Sequence, residues 1–77
     1  MPITLDRIPA GKIVRILGIE GGLRCRQCLA DLGVHPGETI KIIRSAPFAG
    51  PILAETNGTK FMLGRGMATK VVVEEIV

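Results

Sequence analysis

The chain has 77 residues, and ten Lys/Arg against seven Asp/Glu give a net charge of +3 at pH 7. That length holds one small domain, residues 1–77, and excludes a large catalytic cleft with its own lid. Hydrophobic residues make up 47% but aromatic ones only 3%, Phe48 and Phe61; the core must be aliphatic, the absence of Tyr and Trp all but excludes the aromatic groove of a polyproline-binding barrel, and two Phe make a poor stacking platform for single-stranded nucleic acid.

Ten glycines and five prolines imply frequent turns and several short strands rather than a helical bundle. Ile3-Thr4-Leu5 is expected as a short edge strand, closed by Ile8-Pro9-Ala10-Gly11. Residues 12–17 are rich in β-branched side chains and should form a strand that ends at Gly18. After Gly21-Gly22 comes a helix over about residues 23–32, stopped by Gly33 in the position glycine favours past a helix end. His35-Pro36-Gly37-Glu38 is a turn, and Thr39-Ile40-Lys41-Ile42 alternates as a half-buried strand.

Residues 47–51 are expected as a loop, followed by a strand at 52–56. Asn57-Gly58 tolerates the positive φ of a type I′ turn and predicts a hairpin to a strand at 59–63. Residues 64–68 are a short irregular or single-turn element, and the Val-rich stretch 69–76 is the last strand. The fold class is therefore mainly β: five to six strands and one short inserted α-helix, spaced for a small closed barrel, which also removes exposed strand edges. The longest apolar runs, such as Val71-Val72-Val73, are far too short to span a bilayer. The first residues, Met1-Pro2-Ile3-Thr4, lack the basic start and apolar core of a secretory signal, so the expected location is cytoplasmic.

Cys25-x-x-Cys28 is the most chemically suggestive pair. It has three readings: core packing, a metal contact, or a redox dithiol. A closed zinc site needs four ligands, and besides the thiols only His35 is a strong nitrogen or sulfur donor. Cys25, Cys28, Leu29 and Leu32 fall at i, i+3, i+4 and i+7 along the helix, which favours one apolar stripe packed on the core. A metal set of Cys25, Cys28 and His35 for a transition ion such as Fe²⁺ or Zn²⁺ stands as the alternative, completed by a neighbouring subunit. Gly64-x-Gly66 is too short for a phosphate loop, and Glu74 and Glu75 point to opposite faces of a strand, so catalysis has no support. The basic residues, from Arg7 to Lys70, form no run, so the charge pattern favours a solvated surface and leaves a small basic nucleic-acid-binding barrel as the third and least favoured reading.

Arg26-x-x-Leu29-x-x-Leu32-Gly33-Val34-x-Pro36-Gly37, followed by Thr39-Ile40, resembles the central signature of FeoA proteins, accessory components of ferrous iron uptake. Lys12-Ile13, Pro47-x3-Pro51-Ile52, Phe61-x-Leu63-x-Arg65-x2-Ala68 and Val71-x-Val73 keep the family's order over nearly the whole chain. The resemblance implies an SH3-like barrel and a non-catalytic adaptor with no required cofactor. Its implied partner is the cytosolic GTP-hydrolysing region of a FeoB-type transporter, which would bring it to the inner face of the membrane. A related SH3-like domain in iron-dependent repressors makes a metal-sensing role the alternative.

The expected docking surface is the corner where the helix ends, Leu32, Gly33, Val34 and Pro36, with Arg26, Arg65 and Met67 as a basic and apolar rim. Phe48, in the loop at 47–51, is a separate anchor candidate. A mean hydropathy of +0.39 points further to self-association or to a patch covered by a partner.

Overall fold

A computed structural model describes residues 2–45 and 50–76. Six strands, two helices and a 3-10 turn follow in the order β1 (Ile3–Thr4), the turn Leu5–Arg7, β2 (Ile13–Ile19), α1 (Leu23–Asp31), β3 (Thr39–Ser45), β4 (Ile52–Thr56), β5 (Thr59–Leu63), α2 (Arg65–Ala68) and β6 (Val71–Glu75). The strands form one antiparallel sheet in the order β1-β6-β2-β3-β4-β5. Their sequence alternation becomes their burial pattern. Val14 and Ile16 of β2, Ile40 and Ile42 of β3, Ile52 and Ala54 of β4, and Val71 and Val73 of β6 face inward.

A flat sheet of six strands at about 4.8 Å spacing would be about 24 Å wide and a single layer thick. Here the three principal extents are 28, 26 and 25 Å, and residues from β2 to β6 meet in one buried cluster, so the sheet is rolled. Two irregularities help to bend it: the β2–β6 register shifts between Ile16 and Gly18, and the β3–β4 register shifts between Ile42 and Arg44. An extra residue in one strand increases local twist and bends the strand. Leu5, Ile8, Leu29, Val34, Leu63 and Ala68 complete the aliphatic core.

The expected class holds, a mainly β barrel with one inserted helix, and its boundaries move in places. Leu5 leaves the first strand for the 3-10 turn, which directs its side chain wholly into the core. β2 continues through Gly18 to Ile19, and β3 runs beyond Ile42 to Ser45, because the bulges let both strands carry on after the clean alternation stops. At the hairpin, Asn57 and Gly58 have φ of 53° and 80°, as a type I′ turn requires.

Candidate functional site

α1 packs on the barrel along a narrow line. Leu29 is its fully buried residue, and Cys25 and Leu32, four residues before it and three after, pack partly against the core. Cys28 is exposed, which corrects the expected four-residue apolar stripe. It lies about 100° around the helix from Leu29, outside the strip that a nine-residue helix presses onto a curved sheet. Past the helix, Gly33 takes φ of +91°, its N–H donates to the Ala30 carbonyl at 2.9 Å and the Val34 N–H donates to the Leu29 carbonyl at 2.9 Å. This is the Schellman arrangement, with Val34 and Leu29 forming its apolar contact inside the core.

A groove of about 570 Å³ opens beside this helix end, between α1, the last residues of β2 and the His35-Pro36 turn. Its position follows from where the β2–β3 ladder stops. The Ile16 N–H donates to the Glu38 carbonyl at 2.8 Å and the Gly37 N–H to the Ile16 carbonyl at 2.7 Å. Pro36 has no N–H with which to continue, so beyond Ile16 the strand keeps β6 on one side and the groove on the other. Leu17, Ile19, Val34, Pro36 and Val72 give it an apolar lining, with Arg26, Glu20 and His35 at the wall.

The structure divides the expected docking residues. Arg26, Val34 and Pro36 line the groove, Val34 as part of the core that underlies it. Leu32 and Gly33 do not; Leu32 packs against the core and Gly33 turns the chain. Arg65 lies elsewhere and points into the molecule. Its Nε donates to the Gly50 carbonyl at 3.2 Å, Nη1 to the Asp6 carbonyl at 3.1 Å and Nη2 to Ser45 Oγ at 2.8 Å. Met67 is half-buried beside α1, with its Sδ 3.9 Å from Cys25 Sγ. Phe48 lies outside the described residues.

Nor are Cys25, Cys28 and His35 gathered into one metal set. Among the described residues no three His, Cys, Asp or Glu side chains stand close enough to hold an ion. His35 is on the groove, while Cys25 faces Met67. Leu17 and Ile19 were missed in the sequence: Leu17 was read only as the last residue of its strand, although alternation with Ile13 and Arg15 places it on the outer face, and Ile19 lay beyond the expected end at Gly18, after a bulge that carries no residue signature of its own.

Six antiparallel strands rolled into one sheet, with a helix after the second strand and a single helical turn before the last, define a small SH3-like barrel. The FeoA domain model matches residues 3–75, and the chain belongs to the FeoA family. A Methanocaldococcus jannaschii protein provisionally named Fe(2+) transport protein A is 34% identical over 65 residues, covering 84% of this chain and 77% of that protein. The crystal structure of an iron uptake regulatory protein (FeoA) superposes with a TM-score of 0.93 at 34% identity, over 99% of this chain and 100% of that one. Stenotrophomonas maltophilia FeoA complexed with zinc, described as a prokaryotic SH3 domain protein, shares the fold with a TM-score of 0.81 at 24% identity, over 94% of this chain and 89% of that one. Among the described residues no helix is long and apolar enough to cross a membrane.

Proposed function

We propose that this FeoA-family chain is a non-catalytic accessory protein of ferrous iron uptake that docks on the cytosolic GTPase region of a FeoB-type transporter. The docking site in this reading is the groove between α1 and the end of β2, and its place of action is the cytoplasmic face of the membrane. Membership of a family linked to Fe²⁺ transport supports the role. The observation that carries the site is the open apolar strip at Leu17, Ile19 and Pro36, bordered by Arg26, where β2 has lost its β3 neighbour. An apolar strip with a charged border suits an amphipathic segment of a protein partner.

The test is calorimetric titration into the isolated cytosolic region of the cognate transporter, with and without guanine nucleotide. Leu17 is 42% exposed, so Leu17→Glu places a charge in the groove without opening the core. The expected result is saturable binding that weakens at least tenfold in Leu17→Glu and in Arg26→Glu, with urea midpoints unchanged. Absence of heat in every nucleotide state overturns the partner; equal affinity of both variants overturns the groove.

A further inference from the structure

We infer that Cys25, Cys28 and Met67 form an all-sulfur site for a soft monovalent cation, Cu(I). It is separate from the docking groove and independent of the transporter reading. Met67 Sδ stands 3.9 Å from Cys25 Sγ, the thiol donating to the thioether. Two sulfurs sharing one ion at about 2.3 Å each would be about 4.0 Å apart in a trigonal site and about 3.8 Å in a tetrahedral one. The two donors, on different helices and 42 residues apart in sequence, already hold that spacing.

A second feature shows that the position is built. A side chain on Gly21 would have its Cβ 2.9 Å from both Cβ and Sγ of Cys25, closer than such contacts come, so the thiol occupies space that exists because residue 21 is glycine. Cys28 supplies the third donor. It sits at i+3 on α1, where side chains share a face with Cβ atoms about 5–6 Å apart, and it is exposed, so ordering it on an ion displaces nothing from the core.

The donor chemistry selects the ion. Thiolate and thioether ligands suit Cu(I), whereas a thioether adds little for Fe²⁺ or Zn²⁺. Among the described residues no carboxylate or imidazole joins the two cysteines in a three-ligand group, so a harder divalent ion would lack its preferred partners. Binding forms two copper–thiolate bonds and one dative bond from Met67 Sδ. It releases the protons of Cys25 and Cys28 to solvent and changes no oxidation state, because the copper arrives as Cu(I). The product carries one net negative charge.

The experiment is an anaerobic titration of the reduced 77-residue chain against the Cu(I)–bicinchoninate complex, following loss of the chelate colour. One Cu(I) per chain is expected. Met67→Leu, which keeps the volume of the side chain, should weaken binding at least tenfold, a scale on which even an outer-shell partner is felt. Cys28→Ser should weaken it further. X-ray absorption on the unmodified protein should count three sulfur neighbours at copper, which tests the thioether even if Met67→Leu does not fold. Retention of copper by the chelator, two chains per copper, affinity unchanged in Met67→Leu, or two sulfur neighbours would each overturn the site.

Discussion

At Gly33 the backbone, not the space around it, forbids a side chain. A Cβ there would meet Thr56 Cγ2 at 3.5 Å, an ordinary contact, but φ of +91° lies where L-residues are strained. Gly33→Ala should therefore lower stability by about 1–2 kcal/mol, the usual penalty for a left-handed residue with a Cβ. Urea denaturation checks it, and Gly33→Asn should recover part of the loss because Asn tolerates this region. Thr56 shows the complementary situation beside it. It is a polar side chain at 3% exposure, and its Oγ1 donates to the Thr39 carbonyl at 2.8 Å, which satisfies both groups inside the barrel. Gly33 could be read from the sequence because glycine after an apolar helical run has a local cause. Thr56 could not, because its partner sits on another strand.

Among elements, α1 depends most on a single contact. Its nine residues place Leu29 wholly in the core, while Leu23 at the other end is 81% exposed. Removing three carbons at Leu29 should destabilise the protein by about 2–5 kcal/mol, in the range for large-to-small core changes. Hydrogen exchange should show where the loss falls: in Leu29→Ala the amides of α1 should lose protection before those of β3 and β4, which hold each other through the sheet ladder. Uniform loss across all elements would show instead that the helix and barrel unfold as one unit. The strands and the hairpin were legible because period-two alternation and Asn57-Gly58 are local signals. The real ends of β2 and β3 were not, since a bulge interrupts the alternation without ending the pairing. Cys28 was misplaced for a related reason: helical spacing tells which residues share a face, but the curvature of the sheet decides how wide a strip of that face is covered.

For the whole molecule the question is how a rolled sheet with β1 at one margin and β5 at the other stays closed. β1 has two residues, too few to do this by pairing alone. α2, which follows β5, packs instead against the 3-10 turn that follows β1, and Arg65 joins them. Its guanidinium reaches Asp6 after β1, Ser45 at the end of β3 and Gly50 before β4, so one planar group ties both margins to the middle of the sheet. In the sequence an arginine between two glycines looked like part of an exposed rim; its acceptors lie 15, 20 and 59 residues away and come together only when the sheet rolls. Arg65→Lys tests the assignment, because an ammonium keeps the charge but cannot present a fixed fork to three acceptors. With charge-assisted bonds worth about 1.5–3 kcal/mol each and not additive, a loss of about 2–4 kcal/mol is expected from urea denaturation. Under conditions where the variant remains folded, its affinity in the transporter titration should be unchanged, since Arg65 does not line the groove. A variant of full stability that bound weakly would return Arg65 to the docking surface and leave the closure of the barrel to α2 packing alone.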